Sequence, residues 1–271
     1  MRLLKIIIGS VFLLAALTGC LKVNTTINLN PDGTGTIEET VMMKGTIISM
    51  IKEFTESFED ENVEAEEFKL YKEEEQRAKA SDFGEGVEFV SGAEIIEPDF
   101  EGYKVIYSFK DINKLKLDPS PDNKVNLGDE QEESSETVRE YLTFNFKKGT
   151  PSELNIIFPK TDFVDEETVE DESADSLETG MDEMFNMMFD GMRISMNLNL
   201  NGKVSETNAT FIEDNKITMV DIDFAELMKN KDVMSNFEKN KPQSLEEFRE
   251  LTKDIDGIKI EFNEEVKVKF Q

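Results

Sequence analysis

The sequence contains no histidine and no tryptophan, and it has one cysteine among 271 residues. Such a chain lacks the residues for a Ser-His-Asp or Cys-His catalytic arrangement, a His- or Cys-ligated zinc site, an iron–sulfur cluster or a redox dithiol. A disulfide within the chain is excluded as well, so its stability has to come from a packed core. These absences leave no predicted catalytic residue, metal ligand or cofactor, and they predict a protein that is not an enzyme.

Basic residues are scarce relative to acidic ones. The chain has 30 Lys and Arg against 59 Asp and Glu. The first 19 residues contain two basic residues and no acidic one, so the remainder has 28 against 59 and a net charge of −31. Because such a surface repels phosphate backbones, nucleic acid is not an expected partner.

The first 20 residues form a segment typical of export signals. Arg2 and Lys5 give it a cationic start, and an apolar run from Ile6 to Leu17 follows. That run is shorter than the ~20 residues that span a bilayer. The segment ends not on the usual small-x-small cleavage motif but on Leu17-Thr18-Gly19-Cys20, which contains the only cysteine.

This motif resembles the lipobox of bacterial lipoproteins. In that family the cysteine sulfur receives a diacylglyceryl group, the chain is cut just before the cysteine, and the new amino group is acylated. The resemblance implies that residues 1–19 are a signal peptide and that Cys20 is the lipidation site. It also implies a lipid anchor on the extracytoplasmic face of a bacterial membrane, facing the periplasm if an outer membrane is present. The alternatives are an uncleaved anchor helix and an ordinary signal peptide with an incidental cysteine.

Strands are predicted almost directly after Cys20. Apolar and polar residues alternate from Val23 to Leu29 and again through Ile37, Glu39 and Val41, with the turn sequence Pro31 to Gly35 between the two runs, which predicts a β-hairpin. Helical spacing from Ile47 to Phe58 predicts an amphipathic helix. The charged segment from Val63 to Lys79 has only a thin apolar stripe and predicts a helix on the surface.

The rest of the chain continues this mixture. Strand pairs are predicted within Val87 to Ile112 and within Leu142 to Phe158. Asn201-Gly202 separates an alternating run that begins at Ile194 from a return strand from Lys203 to Ile212, which predicts another hairpin. The expected fold class is therefore α+β, with antiparallel β-hairpins or sheets and packed amphipathic helices.

An acidic segment divides the chain. Between Asp162 and Glu183, 11 of 22 residues are Asp or Glu and none is Lys or Arg. A calcium loop of the EF-hand kind would need acids at set positions around a glycine, and the segment lacks this spacing, so a solvated linker is the preferred interpretation. We predict an α+β domain at 20–160, an acidic linker at 161–180, and at 181–271 a second domain or the second half of the same fold.

A methionine-rich segment follows the acidic residues. Its apolar residues fall on one helical face: Met181, Met184, Phe185, Met188 and Met192. Flexible, polarizable methionines suit a variable apolar partner, although a stripe of this kind also suits a buried core. The face is the candidate site for a hydrophobic ligand or an envelope protein.

Two stretches look like parts of bacterial lipoproteins with an LppM-type domain. These are the lipobox with the following residues from Val23 to Gly35, and the second half from Met184 to Phe224. The resemblance implies a strand, an Asn-Pro-Asp-Gly turn, a second strand and a helix, and it implies no enzymatic activity. Together these observations predict a membrane-anchored module that binds or scaffolds, for a lipid or another hydrophobic partner. The alternative is an envelope hydrolase that uses a pair of carboxylates.

Overall fold

The structure, a computed structural model, describes residues 21–57, 68–118, 141–159, 191–230, 251–261 and 263–271. Its strands are β1 (Leu21–Leu29), β2 (Gly35–Lys44), β3 (Glu88–Ile96), β4 (Phe100–Phe109), β5 (Thr143–Lys147), β6 (Ser152–Ile157), β7 (Arg193–Leu200), β8 (Val204–Thr207), β9 (Ile212–Glu213), β10 (Lys216–Asp223), β11 (Ile258–Ile260) and β12 (Glu265–Phe270). Its helices are α1 (Gly45–Ser57), α2 (Glu73–Lys79) and α3 (Phe224–Lys229), with short 3-10 helices at Ala80–Phe83 and Ile112–Lys114. Strands thus dominate the described residues and helices are a minor part, so the α+β expectation holds only in its coarse form.

The strands form two sheets. The large sheet has the order β11-β10-β7-β1-β2-β4-β3, with β9 paired to β10, and the small sheet has the order β5-β6-β12-β8. Both sheets contain strands from before and after the acidic segment, whose residues 161–180 lie outside the described ranges. The two parts of the chain therefore share one core.

The hairpin predicted after Cys20 is confirmed, because β1 and β2 pair antiparallel from Leu21↔Met43 to Leu29↔Gly35. On its other side β1 pairs with β7 in parallel. The sequence predicts antiparallel sheets, so the parallel β1–β7 pairing departs from that prediction. It makes β1 an internal strand of the large sheet with neighbours on both edges.

The hairpin predicted at Asn201-Gly202 is wrong. After this dipeptide the chain leaves the large sheet, and β8 pairs with β12 of the small sheet instead of returning along β7. Two backbone hydrogen bonds between Lys203 and Gln271, of 2.7 and 3.1 Å, fix the crossing. Strand β7 pairs antiparallel with β10 instead of β8.

The core lies between the inner faces of the two sheets. Ile27, Leu29 and Ile37 of the large sheet are fully buried in the same apolar cluster as Ile156 and Phe270 of the small sheet. Burial of each such side chain stabilises the fold by roughly 1.5–3 kcal/mol. At the β1–β2 turn the sheets are tied further, because the Ser152 hydroxyl donates to the Pro31 carbonyl oxygen at 2.7 Å.

Helices cover the rest of the inner face. Helix α1 starts directly after β2 and contributes Ile47, Ile48 and Ile51 to the common core. The surface helix predicted from Val63 to Lys79 is shorter among the described residues, where α2 covers Glu73–Lys79 and five of its seven residues are exposed. It packs on the sheet through two polar side chains, the buried Gln76 and Lys79, which reaches the inner face of β2. Phe68, Leu70 and Tyr71 of the predicted apolar stripe precede the helix and pack against the core.

Candidate functional site

Only one of the predicted site residues, Met192, lies within the described ranges. Cys20, the predicted lipidation site, lies outside them, as do Met181, Met184, Phe185 and Met188 of the predicted hydrophobic face. Met192 is described and half-buried, and its carbonyl oxygen accepts a hydrogen bond of 3.0 Å from the Phe224 backbone N–H. The predicted face thus stays a prediction, and the geometry of the site is that of the residues that follow Cys20.

These residues form β1, a strand in the middle of the large sheet. Strand β1 begins at Leu21, one residue after the cysteine and two residues earlier than its alternation predicted. We call the end of the large sheet at which β1 and β7 begin and β2 and β10 finish the proximal end. The opposite end, at the Asn30–Thr34 turn, is the distal end. Leu21, the residue that follows Cys20 in the sequence, therefore lies at the proximal end.

One row of outward-facing residues crosses the proximal end. From β3 to β7 the paired positions are Ile95, Gly102, Met42, Lys22 and Arg193. Met42 is only 7% exposed although it lies on the outer face, and Ile95 is half-buried. Gly102 makes this close packing feasible, since a Cβ atom at its position would lie 2.9 Å from the Met42 sulfur.

An aromatic ring and a cation complete this end. The Lys22 ammonium lies over the Phe100 ring, 3.8 Å from its centroid, and Phe100 pairs with Lys44 at the last position of β2. Lys22 is exposed and Phe100 is half-buried. We call Lys22, Met42, Ile95 and Phe100 the proximal patch. It combines apolar surface with a cation over an aromatic face, an arrangement that attracts the ammonium electrostatically.

Arg193, which continues the row, is held by a carboxylate. Its Nε and Nη2 donate to the two carboxylate oxygens of Asp221, each at 2.8 Å. This bidentate hydrogen bonding raises the pKa of Arg193 above its ordinary value,. Its charge is therefore neutralised locally, and Lys22 is the row's cation that faces an aromatic ring.

Beyond the proximal row, the outer face of β1 and β7 is a ladder of polar side chains. The side-chain oxygen Oδ1 of Asn24 accepts from the Ser195 hydroxyl at 2.8 Å and from the Asn197 side-chain amide at 3.3 Å. Farther along, the side-chain amides of Asn199 and Asn201 donate to the side-chain oxygens of Asn28 and Asn30 at 3.0 and 2.8 Å. These bonds link side chains across the parallel pair, and they use amide groups that would otherwise be available to a ligand.

The inner face carries a buried ion pair. Glu39 is 1% exposed, and its Oε1 atom accepts from the Lys79 Nζ atom at 2.6 Å. The lysine side chain is 25% exposed, so the pair is open to solvent on the lysine side only. A buried carboxylate of this kind requires its partner, because an unpaired charge in a low-dielectric interior is strongly unfavourable.

Tyrosines surround this pair. The Tyr107 hydroxyl donates to Gln76 Oε1 at 2.9 Å, and the Tyr107 ring packs against Phe83 with centroids 4.8 Å apart. The buried hydroxyl of Tyr71 lies against Gly92 and has no hydrogen-bond partner among the described residues. Burial, with the nearby Glu39 carboxylate, raises the pKa of Tyr103 and Tyr107, and burial also raises the pKa of Tyr71.

These shifts predict an alkaline limit to stability. A tyrosine whose folded-state pKa lies above its unfolded value of about 10 stabilises the fold below that pH, and this contribution is lost as the pH rises above it. We expect the buried Tyr103 and Tyr107 to ionise only together with unfolding. With four tyrosines and no tryptophan in the chain, tyrosinate absorbance reports this directly. Ionisation of three tyrosines at ordinary pH, without loss of the circular dichroism signal, would contradict the expectation.

The carboxylate of Glu261 is also buried and accepts four hydrogen bonds from neighbouring residues. Glu261 is 2% exposed, and its oxygens accept from the backbone N–H and hydroxyl of Thr210 at 2.6 and 2.9 Å. They also accept from the backbone N–H and the amide of Asn263 at 3.0 and 2.8 Å. Glu261 thus fastens the loop after β8 to the segment between β11 and β12.

Within the described ranges, no group of three or more acidic, histidine or cysteine side chains is arranged to hold a metal ion. No helix in the same ranges is long and apolar enough to cross a bilayer. The proximal end presents apolar side chains and the Lys22 ammonium, and the carboxylates of Glu39 and Glu261 are bound by donors within the fold.

Comparisons with known proteins add one structural similarity. No family model and no curated protein matches the sequence. Among solved structures, the chain is similar to the NMR structure of the folded domain of the Mycobacterium tuberculosis protein LppM. The match has 8% sequence identity, covers 74% of this chain and 81% of that domain, and has a TM-score of 0.28. Coverage is wide but the TM-score is low, so the LppM-type likeness of the sequence stays a resemblance.

Proposed function

We propose that the mature chain is a lipid-anchored module on the extracytoplasmic face of a bacterial membrane, and that it acts by binding or scaffolding. The observation that carries the proposal is the start of β1 at Leu21, one residue after the lipobox cysteine. Consecutive Cα atoms are ~3.8 Å apart, so acyl chains on Cys20 would hold the proximal end of the large sheet at the bilayer surface. Two or three acyl chains are enough for stable attachment.

The anchor is tested in the living cell. Metabolic labelling with radioactive palmitate should mark the wild-type protein, and a Cys20→Ser variant should carry no label and accumulate as the longer precursor. Globomycin, which blocks the lipoprotein signal peptidase, should likewise cause the wild-type precursor to accumulate. Full processing under globomycin, together with an unlabelled Cys20, would overturn the proposal.

The same proposal assigns a hydrophobic partner to the module. The Met181 to Met192 face supports a lipid or an apolar segment of an envelope protein as that partner. Native mass spectrometry of the mature protein should then show a co-purifying lipid or peptide. A protein without such a ligand, with those methionines resistant to oxidation because they are buried, would leave a scaffolding role.

A carboxylate-dependent hydrolase is less well supported. Such an enzyme needs two facing carboxyl groups in a cleft. The buried carboxylate of Glu39 lies on β2 and that of Glu261 in the segment between β11 and β12, and each is bound by its own set of donors. Their arrangement favours binding over catalysis.

A further inference from the structure

We infer that the proximal patch is a docking surface for anionic phospholipid headgroups, with Phe100 at the membrane interface and the Lys22 ammonium on a lipid phosphate. This inference rests on the proposed lipid anchor and deepens it, because it assigns the residues that orient the anchored domain. An anchor alone fixes where the chain is attached. It leaves the domain free to rotate about the attachment point.

The first argument is the contrast within the outer face of the large sheet. Along β1, the positions that follow Lys22 on this face are Asn24, Thr26 and Asn28, which form or border the amide ladder. At the proximal end, Met42, Ile95 and Phe100 replace such polar residues. Apolar surface is thus concentrated at the end of this face that lies next to Cys20.

The second argument is the chemistry of the Lys22–Phe100 pair. The lysine is exposed, and its ammonium lies 3.8 Å from the centroid of the half-buried ring. On a membrane surface an apolar side chain such as Phe enters the boundary between headgroups and acyl chains, while a lysine keeps its charge at the level of the headgroups. The pair presents both groups at one position.

The third argument is distance. Lys22 is two residues from Cys20, and at ~3.5 Å per extended residue its Cα lies within about 7 Å of that of the cysteine. Lys22 belongs to the strand itself, so the patch has a fixed place relative to the anchor. Headgroups around the acyl chains are therefore the first molecules that the patch meets.

The fourth argument is charge. A body with a net charge of −31 is repelled by an anionic bilayer, which favours any orientation that places a cation nearest to the lipid,. Lys22 and the half-buried Lys44 are the lysines of this face at the proximal end, while the guanidinium of Arg193 is occupied by Asp221. An anionic phospholipid is therefore the partner whose charge complements the patch.

The test uses the acylated, full mature protein in vesicles of phosphatidylcholine, with or without phosphatidylglycerol. Acylation blocks the sulfur of Cys20, the chain's only cysteine, so a single new cysteine takes a fluorophore uniquely. We place it at Asp99, beside Phe100 at the proximal end, or at Asp32 in the distal turn. Nitroxide-bearing lipids should quench the label at position 99 several-fold more strongly than the label at position 32.

Two variants separate charge from apolar contact. With phosphatidylglycerol present, Lys22→Gln should lower the ratio of docked to undocked protein about fivefold, and without it the change should be small. Phe100→Ser should reduce quenching in both lipids. The matched control is Lys216→Gln, which removes an exposed outer-face lysine at the distal end and should change nothing.

The outcomes distinguish the inference from the proposal on which it rests. If Cys20 carries no acyl group and the protein stays off the membrane, the anchor itself is refuted. If the protein is acylated and bound but labels at positions 99 and 32 are quenched equally, the anchor stands and the docking surface is refuted. Equal effects of Lys22→Gln and Lys216→Gln would also refute it, because the response would then depend only on total charge.

Discussion

Replacing Lys79 by methionine should lower the free energy of unfolding by about 3 kcal/mol. The substitution keeps the apolar stem of the side chain but leaves Glu39, 1% exposed, as a buried carboxylate without its lysine. Loss of a partner from a buried pair typically costs 3–5 kcal/mol, and the partial exposure of Lys79 places the effect at the lower end. Urea unfolding followed by circular dichroism measures the change.

Two controls assign the loss to the buried charge. Glu39→Gln combined with Lys79→Met removes both charges, so it should recover most of the stability lost in the single variant. Lys110→Met breaks an exposed pair with Glu88, whose side chains are 81% and 64% exposed, and should change stability by less than about 0.5 kcal/mol,. Equal losses at Lys79 and Lys110 would show that burial of Glu39 has no energetic consequence.

Replacing Gly102 by alanine should lower the free energy of unfolding by about 2–3 kcal/mol. Gly102 faces Met42 across β2 and β4, and an added Cβ atom would overlap the Val41 carbonyl oxygen and lie 2.8 Å from the Met42 Cα atom. These obstacles are backbone atoms, which cannot rotate away as a side chain does. The two strands would have to separate locally, and thermal or urea unfolding would record the cost.

Gly45→Ala is the matched substitution without the clash. Gly45 begins α1 just after β2, and the nearest atom to an added Cβ, an oxygen of Glu101, is 4.0 Å away. Since alanine favours helix over glycine, this variant should be neutral or slightly more stable. A Gly102→Ala variant as stable as Gly45→Ala would mean that β2 and β4 can shift without loss.

Local sequence pattern predicted the first hairpin because alternation determines which face of a strand is buried. The run from Val23 to Leu29 and its continuation after Gly35 became β1 and β2 in the expected pairing. The pattern even placed Glu39 with Ile37 and Val41, and the structure buries all three. It gave no indication of the partner of Glu39, since Lys79 lies 40 residues away on another element.

The hairpin predicted at Asn201-Gly202 failed because strand pairing between distant parts of the chain outweighed the local turn signal. A favourable turn sequence contributes little compared with the pairing of whole strands, and β8 finds its partner at the far end of the chain, in β12. The proximal patch could not be predicted for the same reason. Alternation assigns Lys22, Met42 and Phe100 to faces of three strands, but only the sheet order makes them neighbours. The predictions for Cys20 and the methionine-rich face, by contrast, rest on local motif and composition alone, and apart from Met192 their residues lie outside the described ranges.

The parallel pairing of β1 with β7 also sets the order in which the sheet can form. Asn24 and Ser195, which meet in the amide ladder, are 171 residues apart in the chain. If the chain crosses the membrane from its amino end, β1 emerges first and keeps one bare edge until β7 arrives. Contacts so distant in sequence slow folding, and a bare strand edge invites pairing with other chains. In that case the interval between the emergence of β1 and that of β7 is when the protein is most exposed to aggregation and most in need of a chaperone.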